Sequence, residues 1–472
     1  MRVLVISPEA GAGPLSSGLA DSIDDLVHAY TSLGIEVCVY SPFYESGPSQ
    51  TTPPLEEIFK GTEPVCQESF SIMKASGSPF HFVRHASYFL RHGQYNDVDQ
   101  VPYWDNHLRF ALLASAALTH AQASSCRPDF VHCHEWGAAL AIAYARDQYA
   151  DYFQNIPILF TIHNVEYDFH FLEQDIERIG LKRKDFNIDG YEFWGKVSLL
   201  KTGILYADQV IFTSNGYCHQ VLNRDLAGGI RGFLEMHRGK VHGLQHGIDY
   251  SRWTPFQTSN PIAQKKQAKA QLQEELGLER SDDIFLVYCH LDKETERTTE
   301  ILFTILTNLF QLPLQLVVGQ PSNDQEREYF QALSQQNTGR MATVALNHGI
   351  EIPKKLLAAA DLLFLSHTEE PSASLVLKAL ACGAIPLTGQ DVGCAGLLTR
   401  FNGENFQQAN ALLMSDPWPD QMLRHLRTGL DLFASDREKW NQLVTNALAF
   451  RYSWETTISE YLRLAQIKPS VV

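Results

Sequence analysis

Cationic side chains are in short supply in this 472-residue chain: 38 Lys and Arg stand against 54 Asp and Glu, a formal charge of −16. That balance excludes nucleic acid as the main partner, because affinity for such a polyanion comes largely from neutralising its phosphates. A small anionic ligand is not excluded, since it sees a pocket rather than the net charge. The eight Cys are scattered, with no CxxC pair and no regular spacing. They read as small buried hydrophobes in a reducing compartment rather than as a disulfide framework. No run of about 18 apolar residues occurs, so no membrane span is expected. The opening MRVLVIS is a strand pattern without the basic, apolar and cleavage segments of a secretory signal. The expectation is a cytoplasmic protein that does not engage a membrane.

Hydrophobic residues make up 44% and charged residues 19% of the chain, an ordinary globular composition that rules out general disorder. The length predicts more than one domain, because single cores stop growing near about 250–300 residues. Short β-branched runs at 3–7, 36–40, 80–85, 130–132, 158–162, 209–213 and 241–244 alternate with amphipathic stretches at 19–33, 107–122 and 194–206. The pattern then restarts, with strands expected at 284–288, 314–318, 342–346, 362–365 and 385–387 and helices at 298–310, 324–335 and 374–381. Continuous apolar strands alternating with helices mark parallel sheets covered on both faces. The fold class is therefore α/β, with two doubly wound, Rossmann-like domains facing a central cleft. The boundaries expected are 1–248 and 270–435, joined by a polar linker at 249–269 that contains two Pro. The helices of 436–472 are expected to pack back on the first domain.

In open α/β sheets ligands sit beyond the carboxyl ends of the strands, and four such loops carry chemistry. SPEAGAGPLSSGLAD (7–21) leads from the first strand into a helix. Its glycines permit close backbone approach, and the helix start at Gly18 to Asp21 offers free N–H groups to an anion. Its spacing matches neither a P-loop nor GxGxxG, and a capped surface loop is the plainer alternative. HCHEW (132–136) and TIHN (161–164) put His beside carboxylate at buried strand ends, where they can bind sugar hydroxyls or move protons. In an extended segment His132 and His134 share a side and Glu135 does not, which argues against a metal trio. A hydrogen-bonded structural role suits at least one of these His. In HTEEPSASLVLKALACGAIPL (367–387), Glu369 or Glu370 and a Pro precede a helix. The N–H groups of Ser372, Ala373 and Ser374 would seat a phosphate there, the alternative being an ordinary N-cap.

Taken in order, these motifs resemble the bacterial glycogen synthases and plant starch synthases, retaining glucosyltransferases of family 5 with a GT-B architecture. DNHLRFALLASAAL (105–118), HCHEW, TIHN, YEFWGKVSLLKTGILYAD (191–208), HGIDYSRW (246–253) and EPSASLV (370–376) match the family's DNxxRFAxxxxAAL, HAHDW, TIHN, EFxGKxxxLKxGIxYAD, NGID and EPCGLTQ. The resemblance implies transfer of glucose from ADP-glucose to the non-reducing end of an α-1,4-glucan. It also implies Glu370 and His163 as the catalytic pair, and Glu9, Gly18, Asp21, Glu135 and Asn164 as substrate contacts. No metal and no cofactor beyond the donor substrate are implied. The departures fall on the donor side. The family's KTGGL Lys is Leu15 and its first Gly is Ser17, the NGID Asn is His246, and the Arg and Lys of SRLxxQKG are His290 and Thr295. Lys293 and Arg297 lie close enough in sequence to replace the missing cations. Two other readings follow from those departures. One is an inactive paralogue that binds glucan or an active glycogen synthase as its partner. The other is a transferase for another nucleotide sugar.

Overall fold

The structure, a computed structural model, describes residues 1–10, 18–44, 54–99, 101–124, 127–224, 226, 229–256, 260–291, 296–319, 324–346, 351–365, 374–416 and 418–466. The chain divides into two compact units, Met1–Leu244 with Trp454–Val472, and Gln245–Ser453.

The first unit is built on the strands β1 (Arg2–Ile6), β2 (Glu36–Pro42), β3 (Glu56–Thr62), β4 (Ser69–Lys74), β5 (Phe80–Arg84), β6 (Phe130–His134) and β7 (Ile158–Ile162). A second group follows in β8 (His170–Leu172), β9 (Glu192–Phe193), β10 (Lys196–Ser198), β11 (Gln209–Phe212) and β12 (Val241–Gly243). The main sheet runs β12-β11-β7-β6-β1-β2-β5-β4-β3. It is parallel from β12 to β5, and β4 and β3 are added antiparallel at one edge. The edge pair carries no apolar run, and β3 is mostly exposed, so periodicity gives no sign of it. From β1 the chain first builds outward to β2 and then returns to lay β6 on the other side. This makes a switch point between β1 and β6, where loops diverge and leave a crevice.

The second unit contains β13 (Phe285–Cys289), β14 (Leu314–Gly319), β15 (Met341–Val344), β16 (Leu362–Phe364), β17 (Ile385–Gly389) and β18 (Leu412–Met414). They form one parallel sheet ordered β15-β14-β13-β16-β17-β18. Its switch point lies between β13 and β16. Both sheets are fully buried along their central strands, as strands covered on two faces must be.

Three expectations change. The stretch 194–206 is helical only over Leu199–Tyr206. Trp194 (φ 52°) and Gly195 (φ 77°) instead form the turn of a hairpin between β9 and β10. Ser198 then caps the helix, its hydroxyl accepting from the Lys201 amide at 3.0 Å.

The polar stretch at 249–269 is not a linker, because most of its second half lies in the helix Pro261–Glu275, with Asn260 as its cap and Pro at the first turn. Two of its lysines are buried. Lys265 Nζ donates to the carbonyls of Ala358 and Ala360 at 3.1 and 2.6 Å, and Lys269 Nζ donates to Asp361 at 2.7 Å. A helix that buries cations instead of an apolar stripe has no hydrophobic period to read.

The C-terminal helices separate. Arg437–Ala449 buries Trp440, Leu443, Val444 and Ala447 in the core of the second unit. Only Trp454–Leu464 joins the first, where Trp454, Ile458, Tyr461 and Leu462 pack with Val3, Val5 and Ile23. No described helix is long and apolar enough to cross a membrane.

Candidate active site

In the first unit the loops at the β1–β6 switch point converge. β1 is followed by a buried Ser7, and Glu9, 6% exposed, turns its Oε1 toward Tyr95, whose hydroxyl donates to it at 2.5 Å. The Tyr44 hydroxyl holds the Pro8 carbonyl at 3.0 Å. The loop after β6 presses directly on this one: a Cβ on Gly137 would lie 2.8 Å from Pro8 Cβ and 3.1 Å from Phe110. Only glycine allows that approach. Trp136 completes the wall, 5.3 Å from Tyr95, edge-on to Phe110 at 4.9 Å and stacked on Phe169 at 5.6 Å.

Glu135 lies at the centre. Its backbone is left-handed (φ 62°), a conformation that costs a side chain with a Cβ free energy and that collects at functional sites. Its Oε1 accepts from the His163 and Asn164 amides at 2.6 and 3.0 Å, which ties the β6 loop to the β7 loop. Among the described residues, Oε2 is buried and has no hydrogen-bond partner. Burial raises the carboxyl to about 8, against the pull of those amides and with Glu9 adding to the rise.

The three histidines touch in succession, His132 against His134 and His134 against His163. His132 is buried against the Thr161 hydroxyl at 2.8 Å and the Tyr30 hydroxyl at 3.2 Å, which is the structural role expected of one member of the pair. His134 packs against it with ring centroids 4.1 Å apart and the rings tilted by 37°, so these two do share a side. His134 Nδ1 meets His163 Nε2 at 3.1 Å. Burial pulls both His132 and His163 down to about 3, so His163 is a neutral hydrogen-bonding group near pH 7 and not a proton carrier. Asn164 Oδ1 accepts from Tyr217 at 3.2 Å and from the Glu166 amide at 3.0 Å, while the Tyr217 hydroxyl accepts from the Val165 amide at 2.9 Å.

The structure thus brings Glu9, Glu135, His163 and Asn164 together. Gly18 opens the helix Gly18–Ser32 and Asp21 lies in its first turn. Among the described residues, a Cβ on Gly18 would meet nothing within 4 Å. In the second unit His246 is buried. His290 follows β13, with Nδ1 2.8 Å from the Tyr288 hydroxyl. Ser374 begins the helix Ser374–Ala381. Glu369, Glu370, Lys293, Ser372 and Ala373 lie outside the described residues, as does the side chain of Arg297. Sequence reasoning missed Tyr95 and Tyr217. Tyr95 comes from an irregular loop 86 residues from Glu9 and leaves no pattern. Tyr217 follows β11 in TSNGY, where Ser214 caps a helix, so a search of every strand end would have found it. Among the described residues no group of three His, Cys, Asp or Glu is arranged to hold a metal ion.

Residues 2–236 match the family described as the starch synthase catalytic domain. The chain is 26% identical to the glycogen synthase of Geotalea uraniireducens across 99% of each protein. It is 27% identical to that of Aromatoleum aromaticum across 98% of this chain and 96% of the relative. Among solved structures it superposes on the catalytic domain of starch synthase IV from Arabidopsis thaliana bound to ADP and acarbose. That likeness has a TM-score of 0.88 at 22% identity and covers 98% of each chain.

Proposed function

The chain belongs to the glycogen and starch synthase family of GT-B glycosyltransferases, and from that premise we propose that it transfers glucose from ADP-glucose to the non-reducing end of an α-1,4-glucan with retention. The observation that carries this reading is the convergence of Glu9, Glu135, His163 and Asn164 at the switch point of the first sheet, where such folds bind ligands. The relative of known structure is bound to ADP and acarbose, a nucleoside diphosphate and a sugar-like ligand, which is the pairing this reaction requires.

In the proposed reaction, the acceptor's 4-hydroxyl oxygen bonds to C1 of glucose on the face from which the diphosphate departs. The C1–O bond to ADP breaks, and the acceptor's proton passes to the departing phosphate oxygen. Glu370 stabilises the positive charge that develops on the sugar. His163, neutral at physiological pH, orients a sugar hydroxyl. Glu135 is protonated at neutral pH and offers Oε2–H to another. The helix at Ser374, with Ser372 and Ala373 before it, seats the phosphates. Lys293, Arg297 and His290 hold the diphosphate by charge-assisted hydrogen bonds, in place of the cations that the family carries where this chain has Leu15 and Thr295. We place the reaction in the cytoplasm, with no cofactor beyond the donor.

Those missing cations favour one second reading: a silent paralogue that holds glucan, or an active synthase, without turning over. Calorimetric titration of ADP-glucose separates the two. Micromolar binding that weakens at least tenfold in Lys293→Ala or Arg297→Ala supports the transferase. Absence of nucleotide binding in a protein that still retains glycogen leaves the silent paralogue.

A further inference from the structure

His134 has no task in the reaction above, yet it is fully buried and touches two other imidazoles. Its Nδ1 lies 3.1 Å from Nε2 of His163. Its ring packs against His132 at an interplanar angle of 37°, and His132 is itself pinned by Tyr30 and Thr161 and by Tyr461 of the C-terminal helix, edge-on at 4.7 Å. The strand leaves His134 little freedom, since its neighbour Glu135 is clamped to the backbone of His163 and Asn164. A neutral imidazole carries one proton on two nitrogens, and the hydrogen bond made by one nitrogen decides what the other presents. The contact between His134 Nδ1 and His163 Nε2 therefore couples the two rings: a proton on Nδ1 of His134 makes Nε2 of His163 the acceptor and places the His163 proton on its Nδ1.

We propose that His134 is a positioning residue that locks the ring orientation and the tautomer of His163 through the Nδ1 to Nε2 bond, and so fixes what His163 presents to the donor sugar. The assignment rests on the reading of His163 as a sugar contact. The buried column from Tyr461 through His132 to His134 supplies the rigidity, because each ring is held by a neighbour that cannot move without disrupting the core of the first unit.

The test uses the full chain labelled with ¹⁵N-histidine, in which ring nitrogen shifts report the tautomer directly. In the wild type His163 shows a single tautomer. In His134→Phe, which keeps a ring against His132 and removes the nitrogen, it becomes a mixture of both, and kcat falls on the order of 10²-fold while the donor KM changes little. His134→Asn places a polar group near the position of Nδ1. It restores one tautomer and most of kcat, and gives a folded comparison should the Phe variant be unstable. An unchanged single tautomer for His163 in His134→Phe, or a mixture already present in the wild type, overturns the proposal. A locked tautomer in a protein that transfers no glucose supports the positioning role and overturns only the transferase reading.

Discussion

Glu135 shows how one residue joins scaffold and chemistry. Its left-handed backbone is strained, and the compensation is visible in the two amides that its Oε1 accepts from the neighbouring loop. The other oxygen remains buried without a partner among the described residues, and burial raises the group to about 8. The unfolded chain ionises this carboxyl near the ordinary value of 4.5. Its contribution is therefore fully present below that value and is lost as pH climbs through about 8. His132 and His163 act in the opposite sense. They are held at about 3, and their contribution is complete above 6.5 and is lost as pH falls toward 3. Between pH 7 and 9 the histidine terms are flat. Burial holds Lys240 and Lys265 at about 8 as well, but they act equally in wild type and in a Glu135 variant and cancel from the difference. Glu135→Gln is expected to lose less thermal stability than the wild type across that window, so that the difference in Tm between the two shifts toward the variant as pH rises. Parallel melting curves check it, and a difference independent of pH contradicts the buried, protonated carboxyl.

At the scale of elements, what could be read from the sequence divides along physical lines. The central strands are mostly apolar runs, and HCHEW and TIHN span the carboxyl ends of β6 and β7, so Glu135, His163 and Asn164 could be located from sequence alone. Tyr95 could not, because an irregular loop has no period. The edge strands β3 and β4 were hidden by their polarity, and the hairpin at Trp194 by a helix-like spacing that two left-handed residues break. The helix Pro261–Glu275 was the hardest case, since it docks through buried charge. Lys269 and Asp361, 3% and 9% exposed, meet at 2.7 Å, and the same carboxylate accepts the Leu286 amide of β13 at 2.8 Å. Removing one member of such a pair leaves an uncompensated buried charge, which costs about 3–5 kcal/mol. Lys269→Met should lower unfolding free energy by that amount in denaturant titration. A loss under about 1 kcal/mol would mean that water reaches Asp361, as it does in exposed pairs.

The whole molecule repeats one device. Each unit lays its second group of strands on the far side of its first strand, and each switch point is lined by residues of the strand-end motifs: Glu9 and Glu135 in the first, and His290 in the second. The acceptor-side motifs of the family are nearly intact, whereas the donor-side cations give way to Leu15 and Thr295. The cations proposed to replace them are Lys293 and Arg297. A net charge of −16 makes such local cations more important, because the chain as a whole repels an anionic donor. The central question is therefore whether glucose is moved. The most direct measurement is transfer of radiolabelled glucose from ADP-glucose to glycogen by the wild type and by Glu370→Ala, with the anomeric configuration of the product determined. A working synthase gives α-1,4-linked product from the wild type and a loss of at least about 10²-fold in the variant. No incorporation by the wild type, or incorporation that Glu370→Ala leaves unchanged, would contradict it.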